Sequence, residues 1–219
     1  MAVNEATSPL AHSVLSARIK DRLLQWILEG ELQPGSRIVE TRVARQLGTS
    51  QAPVREALRD LATLGLVEMQ PYRGARVRQP AKAELIEAME VRGEIEAIAA
   101  RQAATAIDAA TLRRMRQLLD DMRASAKRGD AHAQAIHNSE FHTCVIEASG
   151  NRTIQRLWTV LEPFARTYMT ASMPGADLNW LADRHVTIID ALAARDPEKA
   201  AAAMRQHAHE AESQVMRAP

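Results

Sequence analysis

The sequence predicts a mainly α-helical protein, with an N-terminal winged helix-turn-helix followed by an all-helical antiparallel bundle. Residues 40–66 read as two short helices separated by Gly48, and two short strands follow them. From residue 82 onward, only helical periodicity is visible. Aromatic residues make up 3% of the chain and hydrophobic residues 46%, a balance that favours helix packing over extensive sheets.

The chain divides into four predicted segments, which are a flexible tail at 1–11, a winged helix-turn-helix at 12–78, a linker at 79–81 and a helical domain at 82–219. The linker is placed there because a helix rarely continues through the residue before a proline, here Pro80. Residues 1–78 carry 11 basic and 8 acidic side chains. Residues 79–219 carry 17 basic and 19 acidic side chains, so the front of the chain is the more positive part. This mild asymmetry has the sign expected if the front half binds DNA.

The first predicted helix spans 13–28 and ends before Gly30. A turn at 32–35 and a short extended piece at Ile38-Val39 then lead to the helix-turn-helix. The apolar stripe expected to face the core of the first helix comprises Val14, Ile19, Leu23, Trp26 and Ile27.

Three residues define the helix-turn-helix. Ala44 is small enough for a second helix to approach, Gly48 suits a sharp turn with positive φ, and Val54 supplies an apolar anchor. The hydroxyl of Thr49 or Ser50 could cap the second helix. Together these positions favour a pair in which one helix supports another in the DNA major groove.

The outward face of the second helix is predicted to carry Gln51, Arg55 and Arg59. The strands predicted at 66–69 and 75–78 flank a turn at 71–74, and arginines make this hairpin basic. Such a hairpin after a recognition helix is typical of a wing that lies against DNA phosphates or the minor groove.

The run 49–61, TSQAPVREALRDL, resembles the recognition helix of the GntR family of bacterial transcription regulators. Residues 32–35, 65–67 and 73–74 fit the same pattern, so the resemblance covers 12–80. It implies that Ser50, Gln51 and Arg55 lie near bases or phosphates, with Glu56 orienting Arg55 or another neighbour. The resemblance also implies that Arg73 and Gly74 lie at the wing tip. Arg59, on the same face of the second helix as Arg55, and Arg42, as a phosphate contact, are further candidates.

The C-terminal half is predicted to form six antiparallel helices with short connections, which make a bundle. Asp108, Asp130 and Asp196 are expected to be N-caps. The predicted helices span 82–105, 108–128, 131–148, 151–172, 176–194 and 197–216.

Helical spacing places His142, His185 and His207 on the apolar stripes of three different helices. Three inward imidazoles are costly unless they share a partner, and a divalent transition metal such as Zn²⁺ or Ni²⁺ is the natural one. Asn138 lies one turn before His142 and could add an oxygen ligand. A hydrogen-bonded core histidine is the alternative for each ring taken alone.

The runs 138–142, 149–151, 184–192 and 196–207 resemble the C-terminal ligand-binding FCD domain of FadR-like GntR regulators. Many such domains hold a metal with one Asp and three His, so the resemblance implies a metal bound by His142, His185 and His207. Asn138 stands at the Asp position, which removes a negative charge and leaves the identity of the metal open.

Arg92 is also predicted to point inward, either toward Glu96 at i+4 or toward a carboxylate effector. In the resembled domain, the matching arginine often faces a carboxylate beside the metal, and this implication is the preferred interpretation of Arg92. Asn138 and Tyr168 are further candidates for effector contacts.

The expected function is therefore that of a homodimeric, non-enzymatic transcriptional repressor that binds a near-palindromic operator and responds to a small organic acid. A metal-dependent hydrolase is the alternative, although the sequence shows no inward carboxylate beside the histidines to act as general base. A purely architectural DNA binder with a structural metal is a third possibility. The single cysteine and the lack of a signal peptide or long apolar run favour a cytoplasmic protein without membrane contact.

Overall fold

The computed structural model describes residues 9–71, 73–79, 81–171 and 176–217. Within these ranges, the side chains of 9–12, 28, 82, 162–171 and 214–217 are left aside. The chain forms two compact units, Met1–Gln79 and Pro80–Pro219, whose division falls inside the predicted linker. No helix among the described residues combines the length and apolar character that crossing a membrane requires.

The N-terminal unit is a three-helix domain with a small sheet, as predicted. Its elements are α1 (Pro9–Leu28), β1 (Arg37–Ile38), α2 (Glu40–Gln46), α3 (Gln51–Thr63), β2 (Val67–Gln70) and β3 (Gly74–Val77). Helix α1 begins inside the segment 1–11 that the sequence predicts as a tail.

The small sheet has the strand order β1-β3-β2, and both pairings are antiparallel. Its wing hairpin pairs Val67 with Val77 and Gln70 with Gly74. The buried residues Val54, Ala57, Leu58 and Leu61 of α3 pack in the same core as Ala75. The wing and the buried face of α3 therefore share one core, while the opposite face of α3 is exposed.

The turn between α2 and α3 follows the predicted geometry. Gly48 has φ +62, and the backbone N–H of Thr49 donates to the carbonyl of Ala44 at 2.9 Å. This bond, together with that from Gly48 to Arg45, closes α2 with a Schellman motif. The predicted hydroxyl cap is wrong for Ser50, which is the N-cap residue of α3 but makes no side-chain capping bond.

The predicted stripe of α1 is correct except for Val14, which is 59% exposed. Ile19, Leu23, Trp26 and Ile27 are buried. Val14 lies five positions before Ile19, a rotation of roughly 140° around the helix, so it cannot share the same face.

The C-terminal unit is all-helical, as predicted, but its predicted helix at 176–194 is wrong because two shorter helices occupy that range. The elements are α4 (Lys82–Ala106), α5 (Ala109–Lys127), α6 (Ala131–Ala148), α7 (Arg152–Ala171), α8 (Leu178–Asp183), α9 (Val186–Ala193) and α10 (Pro197–Arg217). This unit is therefore a bundle of seven described helical segments rather than six.

The break between α8 and α9 has an identifiable cause in His185. In an unbroken helix, the carbonyl of Ala182 would accept a bond from the backbone N–H of Val186. Here that carbonyl accepts the backbone N–H of His185 at 3.2 Å, and Nδ1 of the same residue lies 2.9 Å from it. The histidine side chain therefore takes part in ending the helix that precedes it.

The three aspartate caps are confirmed. Asp108 accepts the backbone N–H of Thr111, and Asp130 accepts that of Ala133. The carboxylate of Asp196 accepts the backbone N–H of Lys199 at 3.0 Å. These caps satisfy N–H groups that would otherwise lack a partner at the helix starts.

Helices α4 and α10 approach each other closely because Gly93 has no side chain. A Cβ at this position would lie 2.7 Å from Cβ of Ala208. This close contact brings the part of α4 that carries Arg92 and Glu96 against the part of α10 that carries His207.

Candidate functional site

The three predicted histidines meet in the interior of the C-terminal unit. His142 of α6, His185 at the α8–α9 break and His207 of α10 are each at most 7% exposed. One candidate ligand atom from each ring lies within 4.8 Å of the others. The prediction that these rings point inward is confirmed, while their role as metal ligands stays a prediction.

Two of the three rings have a buried nitrogen without a hydrogen-bond partner within the part of the chain that the structure describes. These atoms are Nε2 of His185 and Nδ1 of His207. A buried polar atom without a partner costs free energy, and two of them in one cluster indicate a shared ligand. The donor set fits a divalent transition metal, because neutral imidazole suits Zn²⁺ and Ni²⁺.

The tautomer of His185 follows from its surroundings. Its Nδ1 lies 2.9 Å from the carbonyl oxygen of Ala182, which can only accept a hydrogen bond. The proton of the neutral ring therefore belongs on Nδ1, and the lone pair is on Nε2, the atom without a partner. An orienting carbonyl of this kind is common behind histidine ligands.

Glu96 is the site residue whose contact with the histidines sequence reasoning missed. Oε1 of Glu96 lies 2.6 Å from Nδ1 of His142 and 3.2 Å from Nη2 of Arg92. Glu96 is only 2% exposed. The contact with His142 is close in distance but does not meet hydrogen-bond geometry at the ring N–H. The expectation that no inward carboxylate lies beside the histidines is therefore wrong. Its position four residues after Arg92, on the same inward stripe, was the available signal.

The charge state of Glu96 is set by its neighbours. Burial alone would raise its pKa, but the positive charge of Arg92 and the contact with His142 hold it at about 2. Glu96 is therefore ionised at neutral pH and provides a fixed negative charge between a guanidinium and an imidazole.

The predicted effector residues have different surroundings. Arg92 is 8% exposed, contacts Glu96 and places its guanidinium carbon 4.8 Å from the centroid of the Trp158 ring. The predicted contact between Arg92 and Glu96, on the same helix, is thus confirmed. Asn138 is buried on α6, where its contribution to a metal or effector stays a prediction. Tyr168 lies outside the side chains that the structure describes.

Arg184 is a second buried arginine that sequence reasoning did not select. Its side chain is 5% exposed, and its guanidinium carbon lies 5.0 Å from the centroid of the Trp180 ring. Burial lowers its pKa to about 10, partly opposed by Glu210 and reinforced by the charge of Arg92. The only sequence signal was its position next to His185 on an apolar segment.

The histidine cluster makes the metal-free protein sensitive to acid. Burial lowers the pKa of His142, and burial together with nearby positive groups lowers those of His185 and His207 well below the usual value. The unfolded chain therefore binds protons near pH 6.5 that the folded chain does not bind. Stability is present above this pH and decreases as the pH falls below it.

We expect the free energy of unfolding, measured by urea denaturation with a chelator, to fall between pH 7 and pH 5.5. Each imidazole contributes a limiting slope of about 1.4 kcal/mol per pH unit. A His207→Gln variant should show a shallower dependence. An unfolding free energy that stays constant over this range would contradict the burial of neutral rings.

The candidate DNA-binding residues are exposed on the N-terminal unit. Ser50, Gln51, Arg55 and Arg59 lie on the face of α3 opposite its buried residues. Arg42 on α2 and Arg73 before β3 are also exposed. Their contacts with DNA stay a prediction.

Arg55 is held by a residue that the sequence did not suggest. Its Nη2 and Nε atoms donate to Oε2 of Glu40 at 2.7 and 3.0 Å, so Glu40 at the start of α2 orients it. Because α2 and α3 are separate helices, only their packing brings this pair together. The orienting role suggested for Glu56, toward Arg55 or another neighbour, stays a prediction.

The wing tip is tied to β1 and requires glycine. The Nε atom of Arg37 donates to the carbonyl of Arg73 at 2.8 Å. Gly74 has φ +83, and a Cβ there would lie 2.7 Å from the carbonyl oxygen of Ile38. The wing can therefore lie this close to β1 only with glycine at position 74.

Comparisons with known proteins assign both units. Residues 15–77 match the model described as bacterial regulatory proteins, gntR family, and residues 87–210 match the FCD domain. A probable D-xylose utilization operon transcriptional repressor from Paenarthrobacter nicotinovorans is 36% identical over 204 residues, covering 93% of this chain and 90% of that protein.

Two further relatives extend the comparison. The gluconate operon transcriptional repressor of Bacillus subtilis (strain 168) is 24% identical over 193 residues, covering 85% of this chain and 79% of that protein. The structure of Escherichia coli McbR/YncC has a TM-score of 0.78 at 24% identity, covers 92% of this chain and 97% of that one, and shows the shared fold. The chain therefore belongs to the GntR family of bacterial regulatory proteins, and its C-terminal unit contains an FCD domain.

Proposed function

We propose that this protein is a cytoplasmic transcriptional repressor whose operator affinity is controlled by a small carboxylate bound at or near a metal in the C-terminal unit. The observation that carries the sensor half is the cluster of three buried imidazoles, two of which have a nitrogen without a partner, in one chain with a winged helix-turn-helix. The relatives support the regulatory half, since they are named as repressors of a D-xylose utilization operon and of a gluconate operon.

His142, His185 and His207 would hold the metal, with Asn138 as a candidate fourth ligand. The metal would supply a Lewis-acidic position for an oxygen atom of the effector. Glu96 keeps a negative charge against His142, which strengthens that imidazole as a ligand and limits its rotation. The neutral amide of Asn138 leaves the site more positive than an aspartate would, which favours an anionic effector.

A homodimer is proposed because α4 and α7, which pack together, expose large apolar side chains. Val91 and Ile98 of α4 lie seven residues apart, and Leu157 and Val160 of α7 are similarly exposed. A second copy that covered these residues would place two recognition helices on the half-sites of a near-palindromic operator. Sedimentation of the protein as a monomer at micromolar concentration would contradict this proposal.

Control by the effector is a coupling between two sites and must be reciprocal. If the acid weakens operator binding by a given factor, the operator must weaken acid binding by the same factor. The test is fluorescence anisotropy with DNA from upstream of the gene, with and without the acid, together with metal analysis of the purified protein. A protein that binds neither metal nor any small carboxylate would lose the sensor half of the proposal.

We expect Arg55→Ala to weaken operator binding on the order of 10- to 100-fold, because its guanidinium would be lost from the proposed DNA-facing side of α3. Arg205→Ala is the matched control, since Arg205 is also an exposed arginine held by a glutamate, here Glu94. Its operator affinity should equal that of the wild type. Unchanged binding in Arg55→Ala would show that α3 does not read this operator through Arg55.

A hydrolytic function is less well supported. Glu96 lies beside His142, so the absence of a carboxylate no longer argues against it. A general base works best when its pKa lies near the working pH, however, and the pKa of Glu96 is about 2. Turnover of esters or amides by the metal-loaded protein would revive that alternative.

A further inference from the structure

Arg184 is a buried cation whose hydrogen-bonding capacity is mostly unused. Its side chain is only 5% exposed to solvent. Its Nε and Nη2 atoms both lack a hydrogen-bond partner within the described residues. Leaving guanidinium donors buried without acceptors is among the more costly arrangements in a folded protein. A structure that retains such a group indicates an acceptor that arrives with a ligand.

The counter-charge available inside the protein is incomplete. Oε2 of Glu210 lies 3.4 Å from Nε of Arg184 without hydrogen-bond geometry, and Glu210 is 32% exposed. The other oxygen, Oε1 of Glu210, accepts a bond from Nε2 of Gln206 at 2.9 Å. By contrast, Arg92 has the fully buried carboxylate of Glu96 as its partner.

The position of Arg184 connects it to the histidine cluster. It is the residue before His185, at the break between α8 and α9. Its Nε also lies 3.4 Å from Glu210, which lies three residues after His207 on α10. The guanidinium of Arg184 therefore lies beside two of the cluster segments with donors that no buried acceptor among the described residues occupies.

We propose that Arg184 binds an oxyanion, a carboxylate or a phosphate, of the effector, and that this residue restricts the site to acidic ligands. The inference rests on the proposed sensor function and names the residue that reads the ligand's charge. A planar guanidinium with adjacent free donors can hold both oxygens of a carboxylate or two of a phosphate. Because Arg184 is the residue before His185, the short segment between α8 and α9 would bind both the anion and the metal.

The same argument favours an acidic ligand over a neutral one. An uncharged sugar such as D-xylose would bring no negative charge to the guanidinium and would add desolvated hydroxyl groups to the site. A sugar acid or sugar phosphate of similar size would balance the charge. The chemistry thus separates acids from the parent sugars without deciding which acid is bound.

The experiment measures thermal shift and calorimetric binding for wild type, Arg184→Gln, Arg184→Lys and Arg205→Gln. Arg205→Gln is the control, because it removes an exposed positive charge from the same unit. The probes are citrate, gluconate, inorganic phosphate and glucose 6-phosphate, with D-xylose as the neutral comparison. The two carboxylates and the two phosphates distinguish the possible sources of the oxyanion.

We expect at least one anionic probe, and not D-xylose, to raise the melting temperature of wild type and Arg205→Gln. Arg184→Gln should bind that probe roughly 10- to 100-fold more weakly, and Arg184→Lys should recover only part of the affinity. Without any anion, Arg184→Gln should melt at a higher temperature than wild type, because a buried and incompletely compensated charge has been removed. This second readout separates ligand binding from a folding defect.

Equal binding of the anion by wild type and Arg184→Gln would overturn this inference while leaving the sensor function intact. Binding of D-xylose but none of the acids would also overturn it. If no probe binds wild type, both this inference and the sensor half of the proposed function fail, although operator binding through α3 could still be measured independently.

Discussion

His207→Gln is expected to reduce affinity for Zn²⁺ or Ni²⁺ by more than about 100-fold, beyond the loss typical of an outer-shell partner. His207 supplies one of three imidazole nitrogens that lie within 4.8 Å of one another, and a two-histidine remainder cannot complete a tetrahedral site. Its Nδ1 has no internal hydrogen bond to break, so the metal-free fold should be retained. Competition with a chromogenic chelator measures the affinity.

His209→Gln is the matched control, because His209 lies two residues further along α10 and its side chain is 71% exposed. This variant should keep wild-type metal affinity. If His207→Gln and His209→Gln bind metal equally well, the buried cluster is not the metal site. The partnerless nitrogens of His185 and His207 would then require another explanation, such as direct hydrogen bonds to an organic ligand.

Gly74→Ala is expected to destabilise the N-terminal unit by about 2–4 kcal/mol and to weaken operator binding strongly. The substitution combines two costs, a positive φ of +83 and a Cβ that would lie 2.7 Å from the backbone oxygen of Ile38. Backbone atoms of a paired strand cannot move aside as a flexible side chain can. The wing must therefore separate from β1 or shift its register.

The control for Gly74→Ala is Gly48→Ala in the same unit. Gly48 has a similar φ of +62, but a Cβ there would meet nothing within 4 Å. It should therefore incur only the conformational cost of about 1–2 kcal/mol. Thermal unfolding of both variants separates steric from conformational strain, and equal losses would contradict the close contact between the wing and β1.

Local features of this protein followed from the sequence because they depend on residues close together in the chain. Gly48 marked the turn between α2 and α3, and three aspartates marked helix starts, since capping and positive φ are decided within a few residues. Helical periodicity also identified the three buried histidines, because an inward stripe recurs every three or four residues.

Contacts between elements were decided only by the tertiary structure. Sequence spacing paired Glu96 with Arg92, but only the packing of α4 against α6 places its carboxylate 2.6 Å from His142. The contact of Arg55 with Glu40 likewise depends on how α2 crosses α3. Such pairs are distant in the chain, so no local pattern specifies them.

The division of the predicted helix at 176–194 shows the effect of both the local sequence pattern and the tertiary contacts. Its apolar stripe continues through Arg184 and His185, so periodicity alone predicted an uninterrupted helix. In the folded chain, the ring of His185 competes for the carbonyl of Ala182, and the helix ends there. The sequence by itself determined which side chains turn inward. Tertiary packing decided which of them find partners, because burial removes water and leaves each polar atom dependent on what the neighbouring helices supply.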